Sequence, residues 1–221
     1  ENLGFAKGVN DLVKKVKTKY FLCIQPDISI NSKSIFKLKK TLDKKKDGII
    51  SVPRIGGFRD FSKIKDGKFI VVNRMIGAVF LANKKRFIEI GNFDTDFFFY
   101  WEDIELSNRI SASKYKIILN PEAKAKHYSS SSSKSDLNTV FIRHSNFMYG
   151  ELLYDYKIKK IRLIKIFRKF FNSIFLSIFF ILTFQIKNLW IHFAKIYGIL
   201  KYINIFLKKK FFKFMERWPR G

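Results

Sequence analysis

The sequence predicts an α/β fold followed by a basic, helical region. Three observations carry this. Short apolar runs of strand length alternate with helix-period segments through about the first 135 residues. The first run stops abruptly at Gln25-Pro26-Asp27, at the kind of strand end where open α/β sheets gather ligand-binding groups. From Asp136 the composition shifts to Ile, Phe, Leu and Lys. The expected division is therefore 1–135 for the α/β domain and 136–221 for the helical region. A chain of 221 residues, 47% hydrophobic, suffices for one ordinary domain plus an appendage and excludes wholesale disorder.

Taken in order, Asn2-Leu-Gly-Phe-Ala-Lys-Gly-Val-Asn10 reads as a Gly-containing loop opening a helix through Val13 and Val16. Free N–H groups there can meet an anion, although such a start is usually only a turn. Residues 20–24 form a short apolar run of the buried-strand kind. Pro26 cannot continue a central ladder, so Asp27 falls just past the strand. Asn31 and Ser32 can cap a helix through about Leu42. Residues 48–53, 69–73 and 77–82 read as strands, 54–68 as a surface loop and 84–90 as a helix. Residues 115–119 read as one more strand, ending at Asn120-Pro121. The serine run to Ser133 reads as loop.

The stretch 91–109 gathers the scarce acidic residues. A Gly91 turn leads through the aromatic block 97–101 to adjacent Glu102 and Asp103, and the periodic segment 104–110 follows. Local physics leaves two readings. The pair favours the first turn of a helix through its dipole, or aromatic walls tune a carboxylate as a base. His127 is a candidate metal ligand or phosphate contact, against the commoner structural role of a lone histidine.

Lys+Arg 44 against Asp+Glu 18 gives a net charge of +26, which calls for an anionic partner. Combined with 26 Phe, it fits a membrane interface better than a nucleic-acid groove; composition leaves both open, and no nucleic acid is expected once the motifs below are weighed. From Glu151 to Gly221 there are 16 Lys/Arg against 3 Asp/Glu. Residues 170–186 carry no charge, and 17 residues is the lower edge for a membrane span. Residues 157–169 and 195–213 mix cations with large apolar residues at helical spacing. That favours helices lying in an interface with Lys reaching anionic headgroups, the alternative being a bundle packed on the first domain. Cys23, the lone cysteine, excludes an internal disulfide and suits a reducing compartment. The start shows no signal peptide, and a chain opening on Glu1 reads as one whose beginning has been lost.

Taken together, these blocks resemble the inverting family 2 glycosyltransferases of GT-A fold, in particular the rhamnosyltransferase-like members that build bacterial surface polysaccharides. The resemblance rests on Asn2 to Asn10, Gln25-Pro26-Asp27, Gly77-Ala78, Gly91-Asn-Phe-Asp94, the aromatic block, Glu102-Asp-Ile-Glu-Leu106, and His127 with Ser129, in that order. It covers roughly the first 149 residues and implies a GT-A type, Rossmann-like mixed sheet, incomplete at its N-terminal side. It also implies transfer of a sugar from a dTDP-rhamnose or UDP-sugar type donor to a lipid-linked saccharide, at the cytoplasmic face of the bacterial inner membrane. The attachment there would be peripheral or through one short membrane segment.

The resemblance puts Asp103 in the role of general base, with Glu102 positioning it or contacting the acceptor. Asn2, Gly4, Phe5, Asn10, Gln25, Asp27, Gly77 and Ala78 would line the donor and sugar side. Asp27 and His127 would hold a divalent metal, Mn²⁺ or Mg²⁺; Gln25 stands where the family usually carries Asn or Asp. Arg109 approaches a phosphate or pairs with Glu105. The reading from another class is a non-enzymatic cationic binder of membrane or nucleic acid, which explains the charge but not these blocks in order.

Overall fold

A computed structural model describes residues 2–56, 67, 69–128 and 136–215, excluding the side chains of 209–215. The expected loop residues 57–66 and 68, and the serines 129–133, lie outside the described residues. The chain forms two compact units: Glu1–Phe98 with Glu102–Lys134, and Phe99–Trp101 with Ser135–Gly221.

The first unit opens with helix α1 (Phe5–Lys15), whose closing Lys14 and Lys15 suit the negative end of the helix dipole. Strands β1 (Tyr20–Ile24) and β2 (Ile28–Ile30) follow, then α2 (Ser32–Lys44). The Asn31 side chain caps α2 by accepting from Ser34 N–H at 2.8 Å. Next come β3 (Gly48–Gly56), β4 (Ile70–Val72), β5 (Val79–Asn83), and the short α3 (Lys84–Glu89) capped by Asn83. Helix α4 (Glu102–Ser111) and the long strand β6 (Lys116–His127) complete it.

The sheet is mixed, in the order β1-β5-β3-β6-β2, with β4 also on β6. β3 and β6 run parallel, while the β1/β5, β3/β5, β4/β6 and β2/β6 pairs are antiparallel. One face carries α1, α3 and α4 on a core that includes Ala6, Val13, Phe80, Phe87, Phe93, Leu106, Ile117 and Leu119. Its phenylalanines meet mostly edge to face, Phe87 and Phe93 with centroids 5.5 Å apart. The other face packs Leu38 and Leu42 of α2 on Leu81 and Ala123.

Three elements differ from the sequence expectation. β3 continues past Pro53 to Gly56. β2, only Ile28-Ser29-Ile30, is too short for a periodic signal. β6 does not end at Asn120-Pro121 but passes through it. The reason is a register shift: Pro53 pairs with Asn120 and Arg54 with Lys124, so residues 121–123 form a bulge. Pro121 sits where no ladder donor is needed.

The second unit holds α5 (Leu137–Lys157), α6 (Leu163–Leu182) and α7 (Ile186–Met215). Asp136 caps α5 by accepting from Thr139 N–H at 2.6 Å. α5 and α7 approach so closely that a Cβ on Gly198 would lie 2.4 Å from the Ser145 carbonyl oxygen. Glu151 on α5 joins α6 through Lys165 and Lys169, each at 3.0 Å. Trp101 packs against Phe147 and Tyr154 at a tilt, with centroids 5.5 and 5.4 Å away, in the space left by the missing side chain of Gly150. The uncharged run 170–186 is not one helix. It breaks after Leu182, where Phe184 adopts φ 53°. Among the described residues no helix is long and apolar enough to cross a membrane.

Candidate active site

The approach to Glu102 is braced by the N-terminal segment. Phe5 N–H donates to the Phe98 carbonyl at 2.9 Å, and the Phe5 ring meets Phe93 at 5.5 Å. Gly4 has φ 75°, and a Cβ there would sit 2.4 Å from the Phe98 oxygen, so the contact requires glycine. Asn2 Oδ1 accepts from Gly4 N–H at 3.0 Å. Asn10 donates to the Phe93 carbonyl at 2.8 Å and accepts from its N–H at 3.1 Å. Of the four residues expected on the donor side, Gly4, Phe5 and Asn10 thus meet the loop 93–98, Asn2 fixes Gly4, and the Asn10 amide is engaged at both ends by backbone. Arg109 takes the ion-pair alternative: it binds Glu105 through two bonds of 2.7 and 2.8 Å and the Asn92 carbonyl at 2.6 Å.

Two consecutive residues with positive φ, Tyr100 at 70° and Trp101 at 73°, turn the chain into α4. Such backbone is uncommon outside glycine and is held by surrounding packing. Asp103, half-buried in the first turn, accepts from Gly77 N–H through Oδ2 at 2.9 Å and from Ile104 N–H through Oδ1 at 2.8 Å. Burial raises its pKa above the ordinary carboxylate value, and those N–H groups act the other way. Each oxygen keeps a lone pair for a further proton or donor. Gly77 lets the backbone come close: a Cβ there would lie 3.2 Å from the Asp103 Cβ and 3.4 Å from Oδ2.

Glu102 is only 5% exposed, and its Oε2 has no hydrogen-bond partner among the described residues. Burial first, and then the Asp103 charge, push its pKa up to about 7. Ser107, which the sequence reading passed over, donates to the Asp103 carbonyl at 2.6 Å and accepts from Met75 N–H at 3.1 Å. Its position four residues after Asp103 was the available signal.

From Gly77 the site continues across the sheet. Gln25 N–H donates to the Ala78 carbonyl at 2.9 Å, extending the β1/β5 ladder past Ile24 and Val79. Beyond Pro26, β2 pairs with the end of β6, so that Ile28 faces His127 and Tyr128 N–H donates to the Asp27 carbonyl at 2.8 Å. This brings His127 Nε2 within 3.3 Å of Asp27 Oδ2, both side chains mostly buried. Cis ligands at ~2.1 Å from one ion stand about 3 Å apart, so the pair is spaced for shared ligation. Carboxylate and imidazole suit Mn²⁺, and Mg²⁺ favours the carboxylate. Among the described residues no third His, Cys, Asp or Glu joins them, so remaining positions would fall to water and ligand oxygens.

Comparison with solved structures reaches a mannosyltransferase, PcManGT from Pyrobaculum calidifontis, in complex with GDP-Man and Mn²⁺. The match has a TM-score of 0.53 and 13% identity, over 73% of this chain and 45% of that one. The fold is of the GT-A type. GalNAc-T7 with UDP, GalNAc and Mn²⁺ also matches, with a TM-score of 0.49 and 16% identity, over 68% of this chain and 35% of that one. The chain thus spans less than half the length of either. Comparison with protein-family models finds no match, and neither does comparison with curated proteins. Within this GT-A sheet, Asp103, Gly77-Ala78 and Gln25-Pro26-Asp27 lie along one connected line from α4 to β2.

Proposed function

We propose that the chain serves an inverting glycosyltransferase of the family 2 type, moving a sugar from a nucleotide-sugar donor to an acceptor hydroxyl. The observation that carries this is Asp103. It is half-buried at the first turn of α4, fixed by Gly77 N–H, and linked through Ala78 to the strand end bearing Asp27. Its raised pKa strengthens it as a base. In the reaction the acceptor oxygen bonds to the anomeric carbon, the bond from that carbon to the diphosphate breaks, and Asp103 takes the hydroxyl proton. Glu102, buried beside it with its pKa pushed up to about 7, would position Asp103 or contact the acceptor. Asp27 and His127 would hold a divalent metal, which when bound neutralises charge on the departing diphosphate.

The donor is of the dTDP-rhamnose or UDP-sugar type. The acceptor is a lipid-linked saccharide of bacterial surface polysaccharide, met at the cytoplasmic face of the inner membrane. The charge and aromatic content of the last third support that location. The test is sugar transfer or nucleotide-sugar hydrolysis by the full-length protein with Mn²⁺, against Asp103→Asn. A loss on the order of 10²–10⁴-fold is expected, and full activity in the variant overturns the base assignment. Tight, salt-sensitive DNA binding without nucleotide-sugar binding would favour the cationic binder instead.

A further inference from the structure

Helix α6 is packed inside out for a helix in water. Ile164, Phe167, Phe171, Phe175, Ile178 and Leu182 recur at three- and four-residue steps and are all exposed, Phe171 at 62% and Phe175 at 69%. This spacing puts them on one face, about 27 Å long. The buried positions of the same helix include Ser173 and Ser177, the latter donating to the Ser173 carbonyl at 2.8 Å. Small residues four apart on the packed face, with aromatics outward, are the pattern of helices that meet lipid.

The exposed face continues onto α7. An apolar groove of about 350 Å³ lies between the two helices, lined by Phe167 and Phe170 on one and by Leu200 and Leu207 on the other. Leu200 and Leu207 are themselves exposed. The sequence has no Asp or Glu from Tyr156 to Met215, and Arg162, Arg168 and Lys208 stand exposed beside the groove residues.

We infer that this face beds into an anionic lipid bilayer, with lipid chains filling the α6/α7 groove and Arg162, Arg168 and Lys208 meeting the headgroups. An anionic bilayer is the occupant that answers both features. A second copy would cover the phenylalanines but bring the same positive charge. Nucleic acid would meet the charge but leave the phenylalanines in water. An apolar stripe set in a cationic surround binds at the headgroup–acyl boundary, by buried area together with attraction to anionic lipids. The inference deepens the membrane part of the function proposed above and does not depend on the chemistry at Asp103.

The test is co-sedimentation of the full chain with phosphatidylcholine vesicles, with and without phosphatidylglycerol. Binding to the phosphatidylglycerol vesicles is expected. Phe171→Ser/Phe175→Ser, at positions outside the core, should weaken it on the order of 100-fold. Arg162→Glu/Arg168→Glu should weaken the preference for phosphatidylglycerol. Asp103→Asn should bind like the unaltered chain, which separates failure of the enzymatic reading from failure of this one. Unchanged binding in the double serine variant overturns the inference. So does a lack of binding to anionic vesicles, or a stable dimer that the double serine change dissociates.

Discussion

Replacing Glu102 with Gln should make the protein more stable at alkaline pH and no more stable at acid pH. The carboxyl is 5% exposed, has an oxygen without a hydrogen-bond partner among the described residues, and has its pKa pushed from 4.5 to about 7. Between those two values the folded chain holds a proton on Glu102 that the unfolded chain releases. Stability therefore falls as pH rises through this window, by about 1.4 kcal/mol for each pH unit. The cost is absent below the unfolded value and complete above the folded one, where it reaches roughly 3 kcal/mol. Glutamine keeps the shape and removes the charge. Urea unfolding of the two proteins should give equal stabilities near about pH 4 and a gap of about 3 kcal/mol at about pH 8. A gap that stays constant across this range would refute the reasoning.

Other outcomes follow from close contacts. Gly4→Ala combines a backbone that favours glycine with a 2.4 Å approach to the Phe98 oxygen; a loss of roughly 2–4 kcal/mol is expected in thermal or urea unfolding. Gly77→Ala places a Cβ 3.2 Å from that of Asp103. In the proposed transfer reaction it should lower the rate by more than about tenfold with little change in melting temperature, because it shifts the carboxylate rather than the core. Arg109→Lys loses the fork that grips Glu105 and the bonds to the Ile90 and Asn92 carbonyls. A stability loss of about 2 kcal/mol by denaturant titration is expected, since lysine cannot reproduce the paired geometry.

Local signals in the sequence were read well where the cause is local. Asn31 caps α2 because its side chain reaches an N–H three residues on, and the apolar run at 20–24 becomes β1. The acid-rich start of α4 is of the same kind. What escaped were effects set by distant partners. Asn120-Pro121 signals a strand end, yet pairing with β3 carries β6 through it by way of a bulge. The segment at Asn2 to Asn10 reads as a Gly-containing loop opening a helix, which α1 is, but the contacts of Gly4 and Asn10 with residues 93–98 have no local signal. Only the family resemblance pairs Asp27 with His127, since no spacing rule relates them. Their meeting depends on β2, a three-residue strand that pairs with the far end of β6.

The bulge at 121–123 also decides on which side of the sheet the later part of β6 presents its residues. Leu119 belongs to the core beneath α1 and α4, whereas Ala123, four residues on, packs with Leu38 and Leu42 of α2. In an unbroken strand residues four apart share a face, so the three extra residues invert the alternation. Pairing with β3 therefore sets the face of the later residues, because Arg54 holds Lys124 in register beyond the bulge. Removing one residue from 121–123 restores simple alternation between Asn120 and Lys124. It should leave Ala125 and His127 on their present surface, with the imidazole still beside Asp27.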